Sequence, residues 1–141
     1  MKILLATNTY PPHPGEVSCS VERFALAFRE KGHRVLVLAP EDKDAPGNET
    51  DVVRIPAIQN FNGSDFSVRL PIPSGLFARI DRFQPDLVHS HHPFLIGDTA
   101  LRIAAHWGLP MVFTYHTRYE RYTPYAPAGS RALKRFSRSL A

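Results

Sequence analysis

Residues 2–40 read KILLATNTYPPHPGEVSCSVERFALAFREKGHRVLVLAP, and the fold is decided there. KILLAT (2–7) is an apolar run without period-2 alternation, as a strand covered on both faces requires. NTYPPHPGE (8–16) is a loop by its prolines and glycine. From Val17 to Lys31 the apolar residues Val21, Phe24, Ala25 and Phe28 recur at i, i+3, i+4, i+7, the spacing of one helix face. Gly32 stops that helix, and RVLVLAP (34–40) is a second buried strand closed by Pro40. Strand, loop, helix, strand is one right-handed βαβ unit with parallel strands.

The same alternation continues outward. After the polar loop EDKDAPGNET (41–50), DVVRIP (51–56) reads as a third strand. Between 57 and 74 the pattern is weak, with a short strand at FSVRL (66–70). SGLFARIDRF (74–83) has the helical stripe Leu76, Phe77, Ile80, Phe83 and ends before Pro85. DLVHS (86–90) is a strand, FLIGDTALRIAAHWG (94–108) a helix closed by Gly108, PMVFTYH (110–116) a strand and SRALKRFSRSLA (130–141) a last helix. This order predicts an α/β fold, a doubly wound Rossmann-like parallel sheet, in a single domain of 141 residues. Ligands of such sheets sit outside the carboxyl ends of the strands, which gathers the loops at 8–16, 89–94 and 115–125 at one edge.

Composition narrows the function classes. At 43% hydrophobic and 21% charged the chain is globular rather than disordered. The single cysteine, Cys19, rules out an intramolecular disulfide framework and suits a reducing cytosol. The apolar start breaks at TNTYPPHP, too early for a secretory leader, and no run approaches the ~20 apolar residues of a membrane-spanning helix. Net charge is +4, with a basic excess from Arg118 onward: Arg118, Arg121, Arg131, Lys134, Arg135 and Arg138 against Glu120. Such a segment is either a solvated helix face or a surface for phosphate, nucleic acid or anionic membrane.

Each loop at the carboxyl edge carries candidate chemistry. Gly15, beside a helix start, lets backbone amides approach an anion, though the loop lacks the G-x-G-x-x-G spacing of dinucleotide folds. HSHHP (89–93) puts His89 and His91 on one side of the strand, with Ser90 and His92 on the other. That pair, with His116 and with His13 or Asp98, could ligate zinc; one histidine could instead serve as a hydrogen-bonding or acid/base group in a cleft, or none has a chemical role. TYHTRYERYTPY (114–125) interleaves Tyr115, Tyr119, Tyr122 and Tyr125 with Arg118 and Arg121, suited to sugar stacking, lipid headgroups or nucleic acid, although no RNA-binding motif is present.

Taken in order, the helix ending in KGHRV (31–35), DLVHSHHP (86–93), GLPMVFTYHT (108–117) and RYERYTPY (118–125) resemble the amino-terminal, acceptor-side domain of retaining glycosyltransferases of family four, which have the GT-B fold. The tyrosine-rich variant is similar to members that glycosylate membrane lipids such as diacylglycerol. The resemblance implies transfer of a hexose from a nucleotide-sugar donor, such as a UDP- or GDP-hexose, to a lipid or glycan acceptor with retained configuration. It implies no essential metal, no further cofactor and no nucleic-acid partner. By the same resemblance His91 lies beside the reacting sugar, His89 is structural, and Gly15 and Glu16 pass near the donor diphosphate. Tyr10, His92, His116, Arg118, Tyr119 and Tyr122 would face the acceptor. Glu16 stands where the family usually has a second glycine, and its carboxylate repels a diphosphate unless it turns away. By the family's usual length, Ala141 falls partway through the first domain, which implies a partial domain, inactive without a carboxy-terminal nucleotide-sugar domain. A cytoplasmic location, peripheral on an anionic inner membrane face through the basic final segment, is also implied. Two other classes stay open on the residues alone: a metal-dependent hydrolase using His89, His91 and His116, and a non-catalytic module for anionic lipid. The glycosyltransferase site as drawn requires His91 to open into one crevice with Gly15. A His91 walled inside the protein, or one more than roughly fifteen ångströms from Gly15, a span no hexose bridges, overturns it.

Overall fold

The computed structural model describes residues 1–58, 68–69 and 74–116. β1 (Lys2–Ala6), α1 (Glu16–Glu30), β2 (Arg34–Pro40) and β3 (Val52–Ile55) follow in order. β4 (Ala57–Ile58) and β5 (Val68–Arg69) make a small antiparallel ladder. α2 (Ser74–Phe83), β6 (Leu87–Ser90), α3 (Ile96–Trp107) and β7 (Met111–Phe113) complete the described chain. The expected final helix at 130–141 lies outside the described residues.

Among the described residues the main sheet has five strands, all parallel, in the order β3-β2-β1-β6-β7. This is the doubly wound arrangement expected from the sequence. The strand order reverses between β1 and β6, so their carboxyl ends frame the topological switch point. Ile3 pairs with Leu87, Leu4 with Val88, Leu5 with His89 and Ala6 with Ser90.

Successive side chains of β1 feed two different cores, which is why KILLAT does not alternate. Ile3 and Leu5 join Val35, Val37, Val21 and Ala25 beneath α1. Leu4 and Ala6 join Leu36, Leu38, Leu76, Ile80, Ile96 and Ile103 beneath α2 and α3. The helical stripes behave as their spacing predicts: Val21 and Ala25 are fully buried in α1, Leu76 and Ile80 in α2. Gly32 and Gly108 follow their helices with positive φ. β7 is shorter than the predicted 110–116, because Thr114 makes the last ladder bond, to the Ser90 carbonyl, before the chain leaves the sheet.

Gly97, in the first turn of α3, has a structural duty the sequence did not reveal. A Cβ there would overlap the carbonyl of His92 and lie 3.6 Å from Ser90 Oγ. The missing side chain lets α3 press against the turn that follows β6. Gly97→Ala should therefore cost about 1–3 kcal/mol, an overpacking penalty, whereas Gly47→Ala, with nothing within 4 Å of the added atom, should stay within ~0.5 kcal/mol. Urea denaturation of both variants reads the difference.

Candidate functional site

The register of β6 against β7 aligns two period-2 histidine patterns. His89 is opposite Val112 and Ser90 opposite Phe113. Continuing that phase, His89, His91, Thr114 and His116 fall on the α1 face of the sheet. They form a column there. His89 Nε2 lies 2.7 Å from Thr114 Oγ1, and His91 Nδ1 lies 2.9 Å from His116 Nε2. The ring of His91 stacks on His89 at 4.2 Å and on His116 at 5.1 Å between centroids. Phe24 of α1 covers His89 at 5.5 Å and His91 at 5.3 Å. The backbone amide of His91 also donates to the Ala6 carbonyl, which extends the β1–β6 ladder past the strand end.

His91 has no exposed surface, and its Nε2 is buried without a hydrogen-bond partner. The expectation that His91 opens into a crevice beside a reacting sugar is therefore corrected. The physical cause is α1, whose Phe24 closes over the imidazole from a part of the chain that HSHHP does not include. Burial, then the neighbouring His89, His116 and His92, lower the His91 pKa to about 3. Burial, then His116, lower His89 as well, and burial lowers His116. At neutral pH the column is an uncharged stack. Stacked faces do not aim three lone pairs at one point, and among the described residues no group of three or more His, Cys, Asp or Glu side chains is gathered as metal ligands would be. Nothing in this arrangement favours the hydrolase alternative.

On the other face, His92 is tied to β1. Its Nδ1 accepts the Asn8 amide at 3.1 Å, so the proton of the neutral ring is on Nε2. Burial, then His116, hold its pKa at about 4. Asn8 closes the clasp: Oδ1 accepts the Ile96 amide at 3.3 Å and Nδ2 donates to the Phe94 carbonyl at 3.4 Å. Leu95, at the start of α3, provides no side-chain cap, so a residue of β1's loop does that work across the switch point. Sequence reading passed over Asn8 because its partner lies 88 positions away. Beside His92 is an apolar cleft of about 430 Å³, lined in part by Phe94, Leu101, Met111 and Phe113.

Gly15 is exposed, with φ 142° and ψ 158°, a conformation open in practice to glycine alone. It offers α1 no side-chain cap, which leaves the first-turn amides to solvent or an anion, and the exposed Glu16 follows it at that positive helix end. Tyr10, expected to face an acceptor, instead packs inward with 8% of its surface exposed. Arg54 is the cause. It stands 5.7 Å from the Tyr10 ring, pairs with Glu49 at 2.8 Å, and donates to the carbonyls of Pro40 and Pro11. One arginine thus fixes the β1–α1 loop to the ends of β2 and β3. The only trace of this in the sequence is a charged residue inside the apolar run DVVRIP. Arg118, Tyr119 and Tyr122 lie outside the described residues.

Residues 17–141 match the model of Glycosyltransferase Family 4. The chain belongs to that family. Among family 4 relatives, the alpha-monoglucosyldiacylglycerol synthase of Streptococcus pneumoniae is 30% identical over 130 residues, which are 92% of this chain and 30% of that protein. The protein of the same name from Acholeplasma laidlawii is 32% identical over 143 residues, spanning 100% of this chain and 35% of the relative. The GDP-mannose-dependent alpha-mannosyltransferase of Corynebacterium glutamicum is 25% identical over 122 residues, 83% of this chain and 29% of the relative. The chain thus spans about a third of the length of the curated relatives it matches. Family membership rests on these matches and is independent of where His91 points.

The neutral column has a measurable signature. Below pH ~6.5 an unfolded chain protonates the imidazoles of His91 and His92 while the folded chain leaves those two neutral, until pH nears about 4 for His92 and about 3 for His91. Stability is full above that window and falls with acidity, by up to about 1.4 kcal/mol per pH unit for a buried histidine. Urea titrations at pH 7.5 and 5 should show the loss, and His91→Leu should reduce it. Equal stability of the parent at both pH values would contradict an enclosed, uncharged His91.

Proposed function

We propose that this chain is the acceptor-side half of a retaining glycosyltransferase that transfers a hexose from a nucleotide-sugar donor to a lipid or glycan acceptor. The observation that carries this reading is the family 4 match over residues 17–141, on a sheet whose switch point is built from the β1 and β6 loops. Two relatives are named for making a glucosyldiacylglycerol and one for using GDP-mannose. These names support a nucleotide sugar on the donor side and a lipid or glycan on the acceptor side. The apolar cleft beside His92 supports an acceptor with a hydrocarbon part. In this reading the nucleotide is held by a second domain, beyond the third of the relatives' length that this chain spans. The protein works peripherally at the cytoplasmic face of a membrane. Among the described residues no helix is long and apolar enough to cross one.

We infer different roles for the histidines, supported by the enclosure of His91. His91, enclosed, is a positioning residue that holds His116 through Nδ1. His116 and the Nε2–H of His92 meet substrate, together with Arg118, Tyr119 and Tyr122. The uncapped amides after Gly15 face the donor diphosphate, with Glu16 turned to solvent. The full protein containing these residues, supplied with radiolabelled UDP-glucose or GDP-mannose and diacylglycerol or glucosyldiacylglycerol, should move label into the lipid phase with α configuration. His116→Ala should lower kcat by roughly 10²-fold, the scale of a misplaced reacting group. Release of free sugar without transfer to any lipid or glycan acceptor would sink the proposal.

A further inference from the structure

The opposite edge of the sheet, at the amino ends of the strands, holds a cleft that the reading above does not use. It has a volume of about 480 Å³ and draws its lining from α1, β2, α2 and the turn before β3. Among the described residues four arginines line it, Arg29, Arg34, Arg79 and Arg82, against one carboxylate, Asp51. These cations come from three elements separated by up to 53 positions in the chain, so only folding assembles them.

Three of the four are held in place. An Nη of Arg29 donates to the Val35 carbonyl at 3.3 Å and lies 3.7 Å from the Asp51 carboxylate. Arg79 donates to the Val52 carbonyl at 3.3 Å. Arg34 stands over the Phe83 ring at 5.7 Å. Arg29 also hydrogen-bonds the Tyr10 side chain, and each guanidinium, with five N–H donors, keeps donors beyond these contacts for another acceptor. Among the described residues Asp51 is the only lining carboxylate, and at 63% side-chain exposure its charge is well screened. Four like charges against one carboxylate repel one another. Tethered guanidinium groups around a concavity suit an oxyanion with several oxygens, which planar forks bind two at a time.

We propose that this cleft is a binding site for a phosphate-bearing anion, carried either as free phosphate or on a lipid headgroup. It is separate from the sugar-transfer edge, because parallel strands put their amino and carboxyl ends on opposite rims of the sheet. A phosphate bound there joins α1, α2 and β2 and stabilises the folded chain by mass action.

Isothermal titration of the full 141-residue chain with inorganic pyrophosphate tests the free form, and flotation with phosphatidylglycerol vesicles against phosphatidylcholine vesicles tests the headgroup. The double variant Arg79→Gln/Arg82→Gln removes two exposed cleft cations, and Arg23→Gln/Lys43→Gln removes the same charge outside the cleft. Saturable binding in either arm, weakened at least tenfold by the cleft variant and less than twofold by the control, is the expected result. The arm that responds identifies the source. Arg79→Lys/Arg82→Lys, which keeps the charge, should retain more affinity than the glutamine pair, and circular dichroism of every variant separates lost binding from lost folding. No saturable binding in either arm overturns the proposal, as does a loss matched by the control or explained by unfolding.

Discussion

The parallel pairing of β1 with β6 is the contact on which the rest of the described structure depends. It joins the start of the chain to a strand more than eighty residues later, and it sets which side chains of each strand face which helix. Because the phase of a strand is strictly two, Leu5 opposite His89 commits His89 to the α1 side, with His91 to follow. A slip of one residue would move both imidazoles to the α3 side. The ladder does not stop at the strand ends, since the His91 amide bonds to Ala6 and the Thr7 amide to Leu38. The loops that leave the two strands are therefore held at fixed heights above the sheet.

That fixed height allows Asn8 to satisfy the amide of Ile96 and the carbonyl of Phe94 while its own amide meets His92. It also explains why Gly97 must lack a side chain, because α3 begins against the His92 carbonyl. The histidine column is the counterpart on the opposite face. Burial makes charging an imidazole expensive, and stacking brings any second charge close, so both effects keep the rings neutral. The stack ends at His116, which the Nδ1 of His91 meets at 2.9 Å.

The two rims of the sheet differ in electrostatic character. At the carboxyl rim neutral histidines and the exposed helix start at Gly15 stand beside the paired charges Arg54 and Glu49. At the amino rim, arginines from three elements converge with little opposing charge. An arginine cleft on that rim gives the domain a separate hold on phosphate.

Much of the fold was legible in the residues because its signals are local. Apolar runs without alternation, one helical stripe per helix and glycines at the stops depend on neighbours within a few positions, and the βαβ order then leaves few topologies. The family motifs were legible for the same reason, as short strings in a fixed order. What the tertiary structure alone decided is every property that depends on a distant partner. Phe24 encloses His91, Arg54 draws Tyr10 inward, Asn8 serves α3 from across the switch point, and arginines 29 to 82 meet in one cleft. Periodicity told which way His91 points relative to His89, but exposure depends on what lies opposite, and that is set by the packing of α1 on the sheet.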